Sequence, residues 1–535
     1  MKALTAAEMR EVDRLTTERY GVPGLQLMEA AGCAVAETVR RQSAPLRGGR
    51  VAVLCGKGNN GGDGFVAARH LKRRRFEPFV CLFGRRNELR GDAATNLARW
   101  AEIQGEVIEI SDAGSLEKVW RRIVDAPVVV DALLGTGLHG PATGLIAEAI
   151  QRINQASRNG TAPRPGCVIA VDIPSGLPSD GEPAEGPVLY AHATATFTAP
   201  KIGQLISSNA PCCGQLSVHP IGSPAELVEE LGKSSLRWVE PQEFSSLPLV
   251  RAADSHKGTF GHALLLAGSV GKSGAAALAG YACLRAGAGL TTVACPDAVL
   301  PLIAAAHPEY MTEPLHSTKS GVLALRSLKD GTFTELEEGK AVLAIGPGLG
   351  TQKQTQEFIR TVVSQTDLPI VLDADGLNAF AGDGAKLRKR KSKFLCVTPH
   401  PGEMARLLGM STNNVQNDRL KAAKEAAAKW NAYVVLKGFH TVIASPVGKI
   451  FVNTTGNPGL AKGGSGDVLT GMLAAFTAQF GTADWLRAIA LGVYLHGAAA
   501  ERRGFRSDLS GMLAHEVCDR IPVARARLLA ESRRG

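Results

Sequence analysis

Short apolar runs recur along this chain, and each run ends at a glycine, an acidic residue or a polar turn before a helix-like segment begins. In the N-terminal part these runs cover residues 51–55, 77–83, 127–131 and 167–172. Apolar runs of this length, bounded by turn residues, are typical of strands buried on both faces of a parallel sheet. Their alternation with helical segments predicts an α/β fold with helices covering the sheet.

The same rhythm starts again near His256, which indicates a second sheet. At about 100 to 200 residues per domain, a chain of 535 residues has room for two large α/β domains or three smaller ones. The region 220–236 is interpreted as a connector, so we predict one α/β domain over residues 1–222 and another over 236–535. The apolar runs of the second domain are 263–267, 290–294, 341–345, 370–373, 394–398 and 433–436.

The net charge of +10 does not by itself indicate a nucleic-acid partner. Basic residues cluster only briefly, at 72–75, at 388–391 and in the C-terminal tail, and aromatic residues do not alternate with them as in RNA-binding motifs. Solvated faces or anionic small-molecule substrates account for such clusters equally well. We therefore expect small-molecule partners and no nucleic acid.

Cysteine usage and hydropathy predict a reducing compartment and no membrane span. The ten cysteines include no C-x-x-C pair, and Cys212 and Cys213 are adjacent, an arrangement that seldom forms a structural disulfide. The N-terminus carries charges where a secretory signal needs an apolar core, and no apolar run reaches about 18 residues. We expect a cytoplasmic protein with reduced thiols.

A glycine-rich loop, residues 457–467, joins a strand-like run to a helix-like segment that starts at Val468. Four of its eleven residues are glycines, which let backbone N–H groups turn toward one point, and the following helix adds its positive end. This pattern predicts a phosphate site. The loop ends at Asp467, whose carboxylate repels phosphate and is interpreted as a base that takes a proton from an attacking hydroxyl. The alternative is that Asp467 is an ordinary helix N-cap.

Other loops of the C-terminal half also follow strand-like runs and are expected to meet at the same edge of the sheet. Lys437 can hold a phosphate by its charge, and Glu403 or Asp373 can reach Mg²⁺ through water. His400 lies between two prolines, where a packed loop histidine is an equally good interpretation. The four loops are residues 345–350, 373–378, 398–403 and 436–441.

Three strand-end loops of the N-terminal half carry oxygen-bearing side chains. Residues 56–64 match the pattern G-x-G-x-x-G, but no acid follows at the ribose-binding distance of a dinucleotide fold. Asp131 and Asp172 each stand where a strand ends, before glycine-rich backbone. Oxygens from Asn60, Asp131 and Ser175 can coordinate a hard monovalent or divalent cation. The alternative is that the two acids only cap the turns that follow.

Together these three loops closely resemble those of the NAD(P)H-hydrate epimerase family over about residues 5–222, through the motifs Asn-Asn-Gly-Gly-Asp-Gly, Val-Asp-Ala-Leu-Leu-Gly-Thr-Gly-Leu-His-Gly-Pro and Val-Asp-Ile-Pro-Ser-Gly-Leu. The resemblance implies a Rossmann-like three-layer sandwich and K⁺ held by Asn60, Asp131 and Ser175. It also implies that Asp172 is an acid/base for epimerisation at the hydrated C6 of the nicotinamide ring. The substrate contacts that it implies are Asn59, Asn60, Gly61, Gly62, Asp63, Gly135, Thr136, Gly137, Leu138, His139, Gly140, Pro141 and Asp172.

One departure from the family pattern concerns the proton shuttle. Many relatives carry a lysine in the loop after the second strand, where this chain has Gly84-Arg-Arg86. Arginine stays protonated at neutral pH and is a poor proton shuttle. The proton-transfer partner of Asp172 is therefore left unassigned.

The C-terminal motifs Gly-Pro-Gly-Leu-Gly, Thr-Pro-His-Pro-Gly-Glu, Leu-Lys-Gly and Gly-Gly-Ser-Gly-Asp resemble the ribokinase-like family, specifically ADP-dependent NAD(P)H-hydrate dehydratases, over about residues 240–525. The resemblance implies a ribokinase-like α/β domain in which Asp467 is the base for phosphoryl transfer from ADP to the C6 hydroxyl. Phosphate then leaves and the nicotinamide ring is restored. The implied substrate contacts are Ala263, Gly348, His400 and Asp467, and the implied nucleotide contacts are Lys437, Gly438, Phe439, His440, Thr441 and Gly466.

The two resemblances together predict a bifunctional enzyme of metabolite repair, an isomerase and a lyase in one chain. It would use NAD(P)HX and ADP with K⁺ and Mg²⁺, and we expect a homo-oligomer. One alternative is a vitamin or sugar kinase with a non-catalytic N-terminal ligand-binding domain, because one fold serves many substrates. A kinase would leave a stable phosphorylated product.

Overall fold

A computed structural model of the chain describes residues 1–43, 49–138, 140–158, 166–481, 483–501 and 509–532. Residues 2–234 form one compact unit, and residues 235–535 form a second together with Met1. The predicted two-domain α/β architecture is confirmed. Residues 223–234, predicted as part of a connector, belong to the N-terminal unit.

The N-terminal unit contains a seven-stranded sheet in which every neighbouring pair is parallel. The strand order is β3-β2-β1-β4-β5-β6-β7, so the order reverses between β1 and β4. Ligands bind at such reversal points in open α/β sheets, outside the carboxyl ends of the strands. The strands are β1 (Arg50–Cys55), β2 (Glu77–Leu82), β3 (Val107–Glu109), β4 (Val128–Ala132), β5 (Cys167–Val171), β6 (Ala193–Phe197) and β7 (Gln215–His219).

Helices cover both faces of this sheet, because alternate strand residues point to opposite layers. Val53 of β1 packs in one layer with Val35, whereas the next residue, Leu54, packs in the other layer with Ile123 and Ile150. The helices of the unit are α1 (Ala6–Tyr20), α2 (Gly24–Gln42), α3 (Asn59–Arg73), α4 (Gly91–Glu102), α5 (Ala113–Val124), α6 (Gly144–Arg158), α7 (Ile202–Ile206) and α8 (Ala225–Leu231).

Local signals explain where the first helix begins and ends. The Thr5 hydroxyl accepts a hydrogen bond from Glu8 N, and the Glu8 carboxylate accepts one from Thr5 N, which is a capping box. The helix ends at Gly21, whose φ of 68° lies in the left-handed region that favours glycine. The apolar positions Met9, Val12 and Leu15 between these caps are buried.

The C-terminal unit contains a ten-stranded sheet in the order β11-β10-β9-β12-β13-β14-β15-β16-β17-β8. Its strands are parallel except for the pairs β15–β16 and β16–β17, which are antiparallel. The strands are β8 (Leu236–Trp238), β9 (His262–Leu266), β10 (Leu290–Pro296), β11 (Met311–Leu315), β12 (Val342–Ile345), β13 (Ile370–Leu372), β14 (Leu395–Val397), β15 (Tyr433–Leu436), β16 (Thr441–Ala444) and β17 (Ile450–Asn453).

A large core of this unit lies between the sheet and the helices α9, α18, α19 and α20, and α18 crosses it. Because α18 is apolar around most of its circumference, it is buried between α9 and α19. The helices are α9 (Ser273–Arg285), α10 (Leu300–Ala304), α11 (Arg326–Lys329), α12 (Thr332–Leu336), α13 (Lys353–Gln365), α14 (Asp375–Asn378), α15 (Pro401–Leu408), α16 (Thr412–Asn417), α17 (Arg419–Trp430), α18 (Ser465–Phe480), α19 (Trp485–Ala500) and α20 (Ala514–Ser532).

The predicted apolar runs coincide with β1, β2, β4, β5, β9, β10 and β12 to β15. The sequence did not predict β3, β6, β7, β8, β11 and β16, which are short or alternate apolar with polar residues. All ten cysteines are free thiols, and nine of them are buried. Within the described ranges, no helix combines the length and hydropathy needed to cross a bilayer.

Candidate active sites

The first candidate site lies at the carboxyl edge of the N-terminal sheet, where the strand order reverses. The loop after β1 leads directly into α3, and a Cβ added at Gly61 would lie 2.0 Å from the carbonyl oxygen of Gly56. Glycine is therefore required where α3 approaches this loop. Asn60 Nδ2 donates a hydrogen bond of 3.0 Å to Leu134 O, which ties α3 to the loop after β4.

Asp131 and Ser175 form a buried hydrogen-bonded pair at the same edge. Ser175 N donates to Asp131 Oδ2 at 2.8 Å, and Ser175 Oγ donates to Asp131 Oδ1 at 2.6 Å. Leu134 N donates to Ser175 Oγ at 2.9 Å, so Leu134 connects this pair to Asn60. Burial raises the pKa of Asp131 to about 6, although hydrogen bonds from Ser175 and Leu133 oppose that rise. The structure thus brings together the three residues predicted to hold a cation.

Asp172 follows β5 and is held by a lysine that sequence reasoning missed. Lys201 Nζ donates to Asp172 Oδ1 and, at 2.8 Å, to Thr196 Oγ1, whose hydroxyl in turn lies 3.0 Å from Asp172 Oδ1. Lys201 is only 1% exposed. Asp172 has a φ of 61°, a left-handed conformation that Asp tolerates better than most residues. The available signal was the lysine in Thr198-Ala-Pro-Lys201, directly after the alternating run Ala193 to Phe197.

A cavity of about 800 Å³ opens beside these groups. His139, predicted as a substrate contact, lies outside the described residues. Of the described residues with the same predicted role, Gly61, Gly62, Gly140 and Pro141 are not on the cavity wall. The predicted substrate contacts that do line the cavity are Asn59, Asn60, Asp63, Gly135, Thr136, Gly137, Leu138 and Asp172.

Helix α1 contributes a second carboxylate to this cavity that the sequence did not single out. Asp13 lies four residues after the buried Met9, so it is on the buried side of α1, and it lines the cavity together with Asp63. Burial raises the pKa of Asp13 to about 6, with Lys201 opposing and Asp172 adding to that rise. Burial raises the pKa of Asp63 well above its usual range, helped by the charges of Asp172 and Asp13.

The second candidate site is built around a buried ion pair in the C-terminal unit. Asp373 follows β13, and its Oδ1 accepts a hydrogen bond of 2.7 Å from Lys437 Nζ while its Oδ2 accepts one of 2.7 Å from Thr470 Oγ1. Burial alone raises the pKa of Asp373, but the Lys437 ammonium and these hydrogen bonds hold that pKa below its ordinary value. Glu403 Oε2 lies 3.9 Å from the same Nζ. Lys437, predicted to hold a phosphate, is thus already paired with carboxylates.

The predicted phosphate loop leads into α18, and the position of Asp467 contradicts one interpretation. The helix begins at Ser465, and its N-cap is Gly464, with a φ of 93° and no capping side chain. Asp467 is the third residue of the helix, so the alternative that it is the N-cap is wrong. The glycine at 464 is needed because the chain enters the helix in the left-handed region.

Asp467 lies in the first turn of α18, close to the buried ion pair. A Cβ added at Gly466 would lie 3.6 Å from Lys437 Nζ and 3.7 Å from Asp373 Oδ2. Burial raises the pKa of Asp467 to about 6, the Asp373 and Asp375 charges add to that rise, and Lys437 opposes it. A carboxyl with such a pKa can exchange a proton near neutral pH.

His400 and Glu403 form a reciprocal cap at the start of α15. His400 Nδ1 accepts hydrogen bonds from Gly402 N at 3.0 Å and Glu403 N at 3.3 Å, and Glu403 Oε2 accepts one from His400 N at 2.8 Å. The His400 side chain is 52% exposed, so it is not the packed loop histidine considered as an alternative. The capping bonds hold the imidazole at the surface, where a ligand can reach it.

The loop after β12 carries Gly348, a predicted substrate contact. Its φ is 65°, and its carbonyl accepts a hydrogen bond of 2.7 Å from Ser269 Oγ. Two residues later, Gly350 N donates to Asp375 Oδ2 at 2.8 Å, and Lys272 Nζ lies 3.0 Å from the same oxygen. Asp375 therefore fastens this loop to the residues that follow β13.

The predicted nucleotide loop after β15 is braced by an arginine. A Cβ added at Gly438 would lie 2.9 Å from Arg419 Nη2, and Arg419 Nη1 donates a hydrogen bond to Phe439 O. Thr441 Oγ1 donates to Gly438 O at 3.2 Å. The Phe439 ring is 50% exposed and stacks on His440, with ring centroids 3.9 Å apart.

Ala263, the remaining predicted substrate contact, is not near the carboxyl edge of the sheet. It is the second residue of β9, is 0% exposed, and pairs with Thr291 and Val342 inside the sheet. The residues that reach the edge from this strand are those after Leu266. The structure therefore does not bring Ala263 together with Gly348, and its role stays a prediction.

Two family models match the chain. A model described as NAD(P)H-hydrate dehydratase matches residues 263–523, and a model described as YjeF-related protein N-terminus matches residues 24–203. The first match covers the loops around Asp373, Lys437 and Asp467. The second covers the cavity residues from the start of α2 to Gly203.

Curated relatives match nearly the whole chain. The bifunctional NAD(P)H-hydrate repair enzyme Nnr of Moorella thermoacetica is 41% identical over 532 residues, which is 99% of this chain and 98% of the relative. The enzyme of the same name from Escherichia coli K12 is 33% identical and covers 96% of this chain and 92% of its own. A crystal structure of the ADP/ATP-dependent NAD(P)H-hydrate dehydratase from Bacillus subtilis, co-crystallized with ATP/Mg²⁺, is 38% identical, with a TM-score of 0.47, over 54% of this chain and 97% of that one.

Proposed function

This chain belongs to the family of bifunctional NAD(P)H-hydrate repair enzymes, and we propose which of its residues carry the two reactions. The enzyme epimerises R and S NAD(P)HX and dehydrates the S form to NAD(P)H at the expense of ADP, giving AMP and phosphate. We assign the epimerase to residues 1–222 and the dehydratase to residues 236–535. The observation that carries this assignment is that each unit pairs an aspartate at the end of a sheet strand with a lysine, Asp172 with Lys201 and Asp373 with Lys437.

In the epimerase unit, Asn60, Asp131 and Ser175 are proposed to hold K⁺. Their side chains provide oxygen donors, meet on the backbone of Leu134, and include a buried carboxylate whose charge a cation would offset. These residues therefore fit a hard cation. When bound, K⁺ supplies positive charge that orders the strand-end loops around the substrate.

The cavity residues are proposed to bind the hydrated nicotinamide ring and to exchange its protons. Asp172 acts as an acid/base at C6, and the contact with Lys201 keeps its carboxylate in one orientation. The loop residues Gly135 to Leu138 supply backbone groups on the cavity wall for the rest of the substrate.

In the dehydratase unit, Asp467 is proposed as the base. It takes the proton of the C6 hydroxyl, the hydroxyl oxygen attacks the β-phosphoryl group of ADP, and AMP leaves. The ring nitrogen then pushes out phosphate, and loss of a C5 proton restores the reduced nicotinamide. Backbone N–H groups at the start of α18 face the anion that is transferred. Phosphorylation is useful because phosphate is a better leaving group than hydroxide.

The nucleotide is proposed to bind at the loop from Lys437 to Thr441 and at Gly466. Exposed Phe439 provides an aromatic face for the adenine base, and the α18 terminus favours the phosphates. Asp373 is already paired with the Lys437 ammonium, which a metal cation would have to displace, so the residues do not form a ready Mg²⁺ site. Mg²⁺ is therefore proposed to arrive with the nucleotide phosphates, and no step of the mechanism depends on it.

One experiment tests both assignments together. The full chain is incubated with mixed R and S hydrates and ADP, and the absorbance of reduced nicotinamide is followed. Complete recovery is expected, because the epimerase converts R hydrate to the S form that the dehydratase consumes. Recovery of only the S fraction would refute the epimerase assignment, and a stable phosphorylated product would favour the kinase alternative.

Removal of K⁺ distinguishes the two activities. Exchange of K⁺ for a bulky organic cation is expected to suppress epimerisation and leave dehydration of the S hydrate unchanged. Ser175→Ala removes an oxygen donor and a partner of buried Asp131, so it should raise the K⁺ concentration needed for half-maximal epimerisation. An epimerase rate independent of K⁺ would remove the cation from this proposal. The expected cytoplasmic location and homo-oligomer remain proposals.

A further inference from the structure

The surroundings of Asp13 are those of a residue that contacts a ligand. It lies in the middle of α1, lines the cavity of the N-terminal unit, and its Oδ1 is buried with no hydrogen-bond partner among the described residues. Buried polar atoms are nearly always hydrogen-bonded, so an unpaired one on a cavity wall indicates a partner that binds there.

The charges around the cavity leave Asp13 without a cation of its own in the described part of the chain. Four carboxyl groups of the described residues line the cavity, those of Asp13, Asp63, Asp92 and Asp172, and the buried Lys201 ammonium donates its hydrogen bonds to Asp172, Thr196 and Phe197. The exposed cations Arg14 and Lys57 pair with Glu11, Glu18 and Glu88. No ion pair joins Asp13 to a cation among the described residues, so Asp13 can hold a proton beside the neighbouring carboxylates.

We propose that Asp13 is a second acid–base catalyst of the epimerase, acting in the same cavity as the Asp172 carboxylate that Lys201 holds in place. The inference rests on the proposed function of this cavity. Asp172 Oδ1 accepts hydrogen bonds from Lys201 Nζ, Thr196 Oγ1 and Phe197 N, and the described residues show no bond to Oδ2, so one oxygen is free for the substrate. Asp13 supplies the second proton-transfer group that inversion at C6 requires.

The chemistry balances with one base and one acid. Asp172 accepts the proton of the C6 hydroxyl, the O–H electron pair forms the C6 carbonyl, and the C6–N1 bond breaks. The electron pair of that bond goes to N1, which takes the proton of Asp13. Rotation about the C5–C6 bond presents the other face of the aldehyde, and the reverse steps close the ring in the opposite configuration and return both protons.

The proton affinity of Asp13 suits this role. Burial raises the pKa of Asp13 to about 6, near the pH at which a general acid also works as a base in the return step. Burial raises the pKa of Asp63 as well. The other ionisable groups that line the cavity are Arg10 and Arg14 on α1 and Lys57 and Asp92 from neighbouring segments.

The test uses the full chain, ADP and mixed hydrates. A fast phase reports dehydration of the S hydrate, and a slow phase reports R hydrate that must first be epimerised. Asp13→Asn is expected to leave the fast phase unchanged and to slow the second phase by about 10² to 10³-fold, toward the spontaneous rate. The matched control is Glu102→Gln, an exposed carboxylate at the end of α4, which should change neither phase.

A pH profile separates catalysis from a structural role. Because the proposed acid must be protonated, kcat/KM for epimerisation by the unmodified chain should fall above about pH 6. Asp13→Asn should abolish that decline, and Asp13→Glu should retain it with a reduced rate. If Asp13→Asn does not fold in its N-terminal unit, the profiles of the unmodified chain and Asp13→Glu still decide the matter.

Three results overturn or redirect the inference. An Asp13→Asn slow phase within about threefold of the unmodified chain is too small a loss for a general acid and overturns it. A profile of the unmodified chain without a decline above pH 6 also overturns it. A slow phase at the spontaneous rate in the unmodified chain instead refutes the epimerase assignment itself, so the two failures are distinguishable.

Discussion

Each of the two units pairs a lysine with an aspartate that follows a sheet strand. The units differ in where the second carboxylate near that pair lies on its helix. In the N-terminal unit Lys201 holds Asp172, and in the C-terminal unit Lys437 holds Asp373. In each pair a threonine hydroxyl also donates to the carboxylate. A carboxylate that accepts hydrogen bonds from an ammonium and a hydroxyl is fixed in orientation.

The two sites differ in the position of the second carboxylate on its helix. Burial raises the pKa of Asp13 and of Asp467 to about 6, but Asp467 lies in the first turn of α18 whereas Asp13 lies in the middle of α1. A helix terminus favours phosphate, and a helix centre does not. This contrast agrees with the roles proposed above, proton removal next to a transferred phosphoryl group in the C-terminal site and proton exchange alone in the N-terminal site.

The largest expected effect comes from Asp467→Asn. Loss of the base should lower dehydration by about 10² to 10⁴-fold and spare epimerisation. The two phases of the mixed-hydrate assay measure both activities in one sample. Asp383→Asn, at an exposed carboxylate paired with Lys386, is the matched control and should be silent. Equal loss of both activities would mean that the substitution disturbs folding.

Substitution of Lys201 or Lys437 tests whether each ion pair supports only the activity of its own unit. Lys201→Met should lower epimerisation by about 10²-fold, and Lys437→Met should do the same to dehydration only. Each change leaves a buried carboxylate unpaired, which costs about 3 to 5 kcal/mol of the free energy of unfolding of that unit. Denaturation followed alongside the two assays measures this cost. Loss of both activities in either variant would break the comparison between the units.

The dehydration and epimerisation rates of this chain should depend on pH in opposite directions. Burial and the Asp373 charge raise the pKa of Asp467 to about 6, and a base must be ionised, so kcat/KM for dehydration should fall about tenfold per pH unit below 6. Epimerisation should instead fall above pH 6, since Asp13 acts there as an acid. Parallel profiles for the two activities would contradict this contrast.

The smallest effect on activity is expected at Ala263. Because this residue lies inside β9 and is fully buried, Ala263→Ser should lower the free energy of unfolding by about 1 to 3 kcal/mol through an unpaired hydroxyl. The KM for the S hydrate should stay unchanged. A raised KM without a loss of stability would instead restore Ala263 as a substrate contact.

Much of the fold and part of each site could be predicted because they depend on local patterns. Buried parallel strands need continuous apolar runs, and the loops after them need glycine, so Asn60, Asp131 and Ser175 could be assigned to one edge. The same reasoning failed for short strands such as β3, β8 and β11. These segments are strands because a neighbouring strand pairs with them, and their own sequences do not reveal that partner.

Residue patterns alone were enough to predict two α/β domains, a glycine-rich anion loop ending at Asp467, and a set of oxygen ligands at strand ends. Which charges meet became visible only in the folded chain, since Lys201 lies 29 residues from Asp172 and Lys437 lies 64 residues from Asp373. The fold also settled that Asp467 is not an N-cap and that Asp13 enters the cavity. The reason is physical: the pKa of a carboxyl depends on burial and on neighbouring charges, and folding alone assembles both.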